Sequence, residues 1–206
     1  MLKLSSCTEK IKNAEILVLG CSAGGFNVIF ELLTNLALNF HLPVVVVIHR
    51  SRKFKSGLED LITQKGNLKA KCAEHGEVME KGKIYFAPAD YHLLIEPEGE
   101  FALDFSEPIF YCRPSIDITF ESISDVYKDK VIAILFSGAN EDGANGLYYI
   151  EKQGGLTIVQ DPEDAEVKTM PLAALSISNT HIILKDKDIY ELMKSITALY
   201  NLDEKS

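Results

Sequence analysis

The segment Ile16–Gly25, which reads ILVLGCSAGG, constrains the fold of this chain more than any other. A short apolar run with β-branched residues predicts a strand, and the small residues after it predict a tight turn. An apolar pattern at helical spacing begins at Phe26 and extends to about Asn39, so a helix is expected to follow the turn directly. Ser22 is therefore predicted to lie at a strand-to-helix corner, with an exposed hydroxyl and helix N–H groups nearby.

This corner has three interpretations. Gly20-x-Ser22-x-Gly24 satisfies the G-x-S-x-G pattern of a nucleophilic serine. Such a serine needs an exposed oxygen and N–H donors that stabilise an oxyanion. The same residues could form a phosphate-binding loop or a plain tight turn. The phosphate loop is the weakest interpretation, because the segment lacks G-x-G-x-x-G and the P-loop lysine.

Two further apolar runs, Val44–Ile48 and Val131–Phe136, have no polar position. Such runs are typical of parallel strands that helices cover on both faces. Because strand and helix patterns alternate, the sequence predicts an α/β fold with a doubly wound, mainly parallel sheet and helices on both faces. A small antiparallel hairpin is predicted at about residues 92–105. The other expected strands are 68–73, 84–87, 155–159 and 181–184, and the other expected helices lie within 51–65, 116–126, 144–150, 170–177 and 187–200.

The length of 206 residues predicts one domain. We expect a flexible lead-in at residues 1–13, a catalytic domain at residues 14–200 and a frayed tail at residues 201–206.

Charge and cysteine content exclude several classes of function. The net charge of −9 argues against nucleic acid and anionic membrane surfaces as partners. Four cysteines without a CxxC motif predict reduced, mostly buried thiols in a cytoplasmic protein. No signal peptide and no run long enough for membrane insertion are visible. Since no His, Cys or Asp cluster has metal-ligand spacing, no metal and no cofactor are expected.

Three reactive residues follow three predicted strands. Ser22 follows the first strand, His49 follows Val44–Ile48, and Asp142 lies in the glycine-rich loop after Val131–Phe136. Parallel strands bring such positions to one sheet edge. A serine nucleophile needs a base, and a histidine base is oriented by a carboxylate, so a Ser-His-Asp triad is predicted.

Each triad residue also has a structural interpretation, such as a strand-capping histidine or an N-capping aspartate. The chain order Ser…His…Asp differs from the Ser…Asp/Glu…His order of the α/β-hydrolases, so the serine pattern does not indicate that fold.

Several segments together resemble one family. They are Gly20–Gly25, Ile48-His49, Tyr85–His92, Arg113–Asp117 (RPSID) and Ser137–Gly146 (SGANEDGANG). From about Ile16 to Leu184, the chain resembles the catalytic domain of the bacterial chemotaxis protein-glutamate methylesterases, the CheB type.

The resemblance implies hydrolysis of glutamate γ-methyl esters on chemoreceptors, with methanol as product, and in some members deamidation of receptor glutamines. It implies Ser22 as nucleophile, His49 as base and then acid, and Asp142 as the orienting carboxylate. The backbone N–H groups of Ala23 and Ala139 would be the oxyanion donors, although Ala139 stands where the family usually has methionine. The implied partners are cytoplasmic helices of methyl-accepting chemoreceptors, or a related methylated signalling protein, and a methyltransferase.

Two arginines are candidate substrate contacts. Arg113 lies in the shared RPSID segment, where it could contact substrate or form a structural salt bridge with Asp117 or another acid. Arg50 begins a basic cluster with Arg52, Lys53 and Lys55, which could steer an acidic substrate or be a solvated face.

Members of the family typically carry an N-terminal receiver domain. Only a short lead-in precedes the first strand here, so a stand-alone catalytic domain without a receiver domain is expected. The alternative function is a catalytically idle module of the same fold that docks on a receptor or a methyltransferase.

Overall fold

The computed structural model describes residues 7–50 and 57–203. Its strands are β1 (Ile16–Cys21), β2 (Val44–Ile48), β3 (Lys69–Cys72), β4 (Lys83–Phe86), β5 (His92–Ile95), β6 (Phe101–Asp104), β7 (Val131–Leu135), β8 (Leu156–Gln160) and β9 (Ile182–Leu184). Its helices are α1 (Thr8–Asn13), α2 (Phe26–Thr34), α3 (Leu58–Lys65), α4 (Ile116–Tyr127), α5 (Ala144–Lys152), α6 (Thr169–Ile177) and α7 (Asp186–Asp203). A 3-10 turn, Lys128–Lys130, follows α4.

The sheet has seven parallel strands in the order β3-β4-β2-β1-β7-β8-β9. Strands β5 and β6 form a separate antiparallel pair, in which His92 faces Asp104 and Ile95 faces Phe101. The predicted doubly wound α/β fold and its hairpin are therefore confirmed.

Helices cover both faces of the sheet. Every residue of β1, β2 and β7 is buried, because their alternating side chains enter two separate apolar clusters. One cluster packs against α1, α2, α3 and α7. The other packs against α4, α5, α6 and the hairpin. These strands thus lack polar positions because helices cover both faces of the sheet, as the sequence indicated.

Helix α2 ends earlier than expected, at Thr34 rather than near Asn39. Thr34 Oγ1 donates a hydrogen bond to the Phe30 carbonyl (2.9 Å), and Asn35 Nδ2 donates to the Glu31 carbonyl (2.8 Å). Such side-chain bonds to the backbone compete with helix continuation. The chain then turns so that Leu36 and Phe40 both remain buried.

The flexible lead-in predicted for residues 1–13 is wrong for residues 8–13, which form helix α1. Ile11 of this helix is buried in the first apolar cluster, together with Cys7. This short, mostly polar helix packs against the domain because Ile11 reaches the core. The local sequence gives no indication of that contact. At the other end, α7 continues past the predicted boundary at residue 200, to Asp203.

The topology creates a crevice beside β1. Strand β2 lies on one side of β1 and β7 lies on the other, and the chain continues from β1 to β2 and from β7 to β8. The loops after β1 and β7 therefore diverge, which is the switch point at which open α/β sheets bind ligands. Ser22 follows β1, His49 follows β2, and Asp142 lies in the loop after β7.

Candidate active site

Ser22 lies in the tight turn between β1 and α2 and is partly exposed. Its N–H group donates to the Ser137 carbonyl (2.9 Å), which joins this turn to the loop after β7. Gly24 has a φ of +79°, and a Cβ there would lie 2.6 Å from the Glu166 Cβ and 2.7 Å from Ser137 Oγ. The turn that exposes Ser22 therefore requires glycine at this position.

His49 connects the other two predicted triad residues. Its Nδ1 lies 3.1 Å from Ser22 Oγ, and its Nε2 lies 2.7 Å from Asp142 Oδ2. Because an ionised carboxylate only accepts hydrogen bonds, Nε2 carries the proton in this pair. Nδ1 of the neutral ring is then an acceptor that faces the Ser22 hydroxyl. The structure thus brings Ser22, His49 and Asp142 into one hydrogen-bonded chain.

Asp142 is fully buried and is held from several directions. Besides His49, its carboxylate accepts hydrogen bonds from Ser115 Oγ (2.8 Å), the Ile116 N–H (2.7 Å) and the Asp117 N–H (3.1 Å). The last two groups belong to the first turn of α4, where a negative charge is stabilised. Burial alone would raise the pKa of Asp142, but these hydrogen bonds hold it below its usual value. Asp142 is therefore a fixed, ionised partner for the imidazole.

Asp117 connects α4 to the loop that carries Asp142. Its carboxylate accepts from the Gly146 N–H (2.7 Å), and its own N–H donates to Asp142. Burial is the main cause that raises the pKa of Asp117 to about 6, and the charge of Asp142 acts in the same direction. Backbone hydrogen bonds from Gly146 and Gly143 oppose the shift.

The raised pKa of Asp117 predicts a pH-dependent loss of stability. An aspartate in an unfolded chain releases its proton near pH 4, whereas folded Asp117 retains it to about pH 6. The free energy of unfolding should therefore fall as the pH rises from about 4 to about 6, by up to about 3 kcal/mol from this group. Glu121, whose pKa is also raised by burial, acts with the same sign. Asp142, whose pKa is lowered, contributes stability that is lost only at more acidic pH.

Urea unfolding between pH 4 and pH 7 tests this prediction. The Asp117→Asn variant should show a clearly flatter pH dependence than the unchanged protein, and Asp60→Asn, at an exposed position of α3, should not. Equal slopes for the unchanged protein and Asp117→Asn would rule out the contribution of Asp117.

The two predicted oxyanion donors lie in neighbouring loops. Ala23 follows Ser22, and Ala139 lies between β7 and Asp142; both residues are exposed. Within residues 7–50 and 57–203, neither N–H group donates to a protein acceptor. Ser137 Oγ donates to the Ala23 carbonyl (2.8 Å) and accepts from the Val167 N–H (2.9 Å), which ties these loops together.

A cleft of about 330 Å³ opens beside His49. Its lining residues are His49, Arg50, Asp90, Pro108, Tyr111, Cys112 and Arg113. Both predicted substrate-binding arginines therefore border the cleft.

The guanidinium of Arg50 is largely engaged by the protein itself. It lies 2.5 Å from Glu59 Oε1, and it donates to the Ala87 carbonyl (2.9 Å) and to Cys72 Sγ (2.9 Å). These contacts favour a structural role for Arg50, and its binding of substrate stays a prediction. The other members of the basic cluster, Arg52, Lys53 and Lys55, lie outside the described residues.

Arg113 is held by carbonyl groups and an aromatic ring and not by a salt bridge, and its contact with substrate stays a prediction. Its Nη1 donates to the carbonyls of Phe105 (3.1 Å) and Ser106 (2.7 Å), and its guanidinium carbon lies 3.8 Å from the centre of the Phe105 ring. No ion pair with Asp117 is present among the residues that the structure describes. Arg113 Nε is buried without a hydrogen-bond partner in that same part of the chain. The side chain is thus held in place by Nη1 and by the aromatic ring, while the buried Nε has no partner among the described residues.

Sequence reasoning missed two neighbours of the triad, Ser115 and Cys112. Ser115 caps α4 and also donates to Asp142. Cys112 Sγ lies 3.2 Å from His49 Nδ1, and Asn140 Nδ2 lies 3.5 Å from the same sulfur. Ser115 could have been found as the N-cap before the apolar helix pattern, whereas no sequence signal places Cys112 beside His49.

The cysteines are all free thiols. Cys7 and Cys21 are buried, as expected, but Cys72 is exposed and Cys112 is partly exposed, so the expectation of mostly buried thiols is wrong for these two. Burial raises the pKa of Cys21 to about 12, which disfavours a thiolate at that position although it adjoins Ser22.

The described residues contain neither a metal-binding cluster nor a membrane-spanning helix. No group of His, Cys, Asp and Glu side chains there is arranged to hold a metal ion. Among residues 7–50 and 57–203, no helix is both long enough and apolar enough to cross a membrane.

Comparison with known proteins points to one family of methylesterases. The family model for CheB methylesterase matches residues 17–193. A Leptospira interrogans protein, provisionally named protein-glutamate methylesterase/protein-glutamine glutaminase, is 40% identical over 180 residues, which cover 87% of this chain and 93% of that protein. The Methanospirillum hungatei protein-glutamate methylesterase/protein-glutamine glutaminase 2 is 34% identical over 90% of this chain. That match covers 53% of the M. hungatei protein, so this chain spans about half of its length.

A solved structure has the same fold. The crystal structure of the Thermotoga maritima CheB methylesterase catalytic domain superposes with a TM-score of 0.82 at 32% identity, over 90% of this chain and 98% of that one. The family model, the relatives and this structure agree along nearly the whole described fold. The chain belongs to the CheB methylesterase family.

Proposed function

We propose that this protein hydrolyses the γ-methyl esters of glutamyl side chains on methyl-accepting chemoreceptors. Membership of the CheB methylesterase family and the names of its relatives support this reaction class. The observation that carries the proposal is the hydrogen-bonded chain from Asp142 through His49 to Ser22, at the carboxyl edge of three buried strands. That arrangement is the one required to activate a serine hydroxyl.

In the acylation step, Ser22 Oγ attacks the carbonyl carbon of the glutamyl ester, and His49 Nδ1 takes the hydroxyl proton. Asp142 stabilises the resulting imidazolium and keeps the ring in orientation. The N–H groups of Ala23 and Ala139 donate to the carbonyl oxygen as it becomes an oxyanion. When the C–O bond of the ester breaks, His49 returns the proton to the methoxy oxygen and methanol leaves. The glutamyl group is then an ester of Ser22.

In the deacylation step, His49 takes a proton from water, whose oxygen attacks the acyl carbon. The bond to Ser22 Oγ breaks, His49 returns the proton to that oxygen, and the glutamyl side chain of the receptor leaves as a free carboxylate. With a glutamine side chain the same steps would release ammonia instead of methanol, so deamidation belongs to the proposal.

The proposal also assigns partners and a location. The substrate is a cytoplasmic helix of a receptor, or of a related methylated signalling protein, so the reaction takes place in the cytoplasm. A methyltransferase that forms the esters is the second implied partner. Arg113 lines the cleft and is held by the Phe105 and Ser106 carbonyls, whereas Arg50 is paired with the carboxylate of Glu59, so Arg113 is the better placed of the two arginines to contact the substrate.

Methanol release from a purified, methylated chemoreceptor cytoplasmic fragment tests this function. The matched substrate is the same fragment without methyl groups, which should yield no methanol. Release from the methylated fragment alone, at a rate proportional to enzyme concentration, is the expected result. Binding of the fragment without any release would instead support the idle docking module.

A further inference from the structure

The segment Ile109–Cys112 forms a tight turn of unusual composition, here called the aromatic turn. Ile109 and Cys112 exchange both backbone hydrogen bonds, at 3.1 Å and 2.7 Å. The two residues between them, Phe110 and Tyr111, have φ values of +47° and +62°. Two-residue turns with both central residues left-handed are normally occupied by Asn-Gly or similar pairs, because a bulky side chain is unfavourable there.

Burial of the two side chains does little to offset the free-energy cost of this backbone conformation. Tyr111 is fully exposed to solvent, and Phe110 is 43% exposed. Neither ring has an aromatic partner among the described residues. Residues held in rare backbone conformations cluster at functional sites, and an exposed aromatic group next to a cleft indicates a contact surface.

The aromatic turn is joined directly to the candidate active site. Tyr111 lines the cleft beside His49, and the next residue, Cys112, places its Sγ 3.2 Å from His49 Nδ1. Arg113 follows and is fixed by its bonds to the Phe105 and Ser106 carbonyls. The turn is thus anchored at its C-terminal side, while Tyr111 lines the cleft with its ring exposed and Phe110 lies next to it, partly exposed.

Apolar contact at this position would complement the charged groups of the cleft. The chain has a net charge of −9, and Arg50, a cation at the cleft, is already engaged with Glu59. Arg113 remains as a cation of the cleft that is held by carbonyl groups, so contact with the polypeptide beyond this charge depends on the apolar groups beside it. Tyrosine and phenylalanine supply a large contact area with few rotatable bonds, and a preformed turn reduces the ordering that binding requires.

We propose that Phe110 and Tyr111 form a docking element for the protein substrate, in which the rings contact apolar side chains that flank the glutamyl ester on the receptor segment. This inference rests on the proposed function. It assigns the aromatic turn to recognition of the polypeptide and leaves the bond chemistry to the residues around Ser22.

The double variant F110N/Y111G provides a sharp test, because it gives the turn the residues that its backbone prefers. It should unfold at a temperature equal to or higher than the unchanged protein, so loss of folding is not expected to obscure the result. Its KM for the methylated receptor fragment should rise about tenfold, the size of effect typical of central aromatic contacts. The ratio of kcat/KM for the fragment to kcat/KM for a small ester, N-acetylglutamate γ-methyl ester, should fall by a similar factor.

Tyr149→Ala is the matched control, because Tyr149 is an exposed aromatic residue on α5 and does not line the cleft. It should leave that ratio as it is. The inference is wrong if F110N/Y111G keeps the ratio within twofold, if it loses activity equally toward both esters, or if it is less stable than the unchanged protein. If the unchanged protein hydrolyses the small ester but never the receptor fragment, the proposed substrate is wrong, and the docking role falls with it.

Discussion

Replacement of Ser22 by alanine is expected to reduce kcat for methanol release by about 10⁵-fold. The reason is that the hydroxyl facing His49 Nδ1 at 3.1 Å is the group that forms the covalent intermediate. Alanine removes only this oxygen, and the Ser22 N–H that donates to the Ser137 carbonyl remains. The variant should therefore keep its fold, its circular dichroism spectrum and its affinity for the receptor fragment.

The matched control for this prediction is Ser176→Ala. Ser176 is an exposed serine of α6 whose hydroxyl donates to the Ala173 carbonyl of the same helix, so its loss should leave turnover unchanged. Methanol release that persists in Ser22→Ala at more than a few per cent of the original rate would show that another group attacks the ester.

Replacement of Asp142 by asparagine should lower kcat by about 10⁴-fold. An amide cannot stabilise the imidazolium, and its N–H₂ group would face donors that now point at a carboxylate. Those donors are His49 Nε2, Ser115 Oγ and the N–H groups of Ile116 and Asp117. Because donors facing donors leave buried polar groups unsatisfied, the free energy of unfolding should also fall, by about 2 kcal/mol.

Steady-state kinetics and urea unfolding of Asp142→Asn measure both effects. Asp125→Asn is the control, since Asp125 is an exposed carboxylate on α4, the helix whose first turn holds Asp142. A loss of stability without a loss of kcat would mean that Asp142 only stabilises the first turn of α4 and takes no part in the chemistry.

The central architecture could be predicted because strands that are buried on both faces are apolar at every position of the sequence. Strands β1, β2 and β7 lack polar residues since both of their faces are covered. Parallel strands necessarily end at one edge, so the positions of Ser22, His49 and Asp142 relative to these strands were enough to bring them together. The site is predictable to the extent that backbone topology determines it.

The details that could not be predicted depend on side-chain contacts between distant segments. Cys112 reaches His49 through a turn whose left-handed residues, Phe110 and Tyr111, carry no glycine or asparagine signal. Arg50 follows His49 in sequence, yet its guanidinium contacts Glu59 of α3. Helix α1 forms because Ile11 enters the core, and its polar neighbours conceal that contact. In each case the local sequence pattern gives no indication of the contact, because packing between distant segments determines it.

The position of Cys112 makes identification of the nucleophile a stringent test. Two hydrogen-bonding groups, Ser22 Oγ and Cys112 Sγ, lie within 3.2 Å of the same nitrogen of His49. A thiol is intrinsically more nucleophilic than a hydroxyl once it is deprotonated. Burial, however, raises the pKa of Cys112, and the charge of Asp142 raises it further, so its thiolate is disfavoured. We therefore assign the covalent step to Ser22.

The most direct measurement is mass-spectrometric mapping of the covalent adduct that forms when the protein reacts with a fluorophosphonate or is quenched in acid during turnover of a small ester. We expect a single modified site at Ser22, which is absent from the Ser22→Ala variant and strongly reduced in His49→Ala. An adduct on Cys112, or modification of Ser22 that does not depend on His49, would contradict the proposed mechanism.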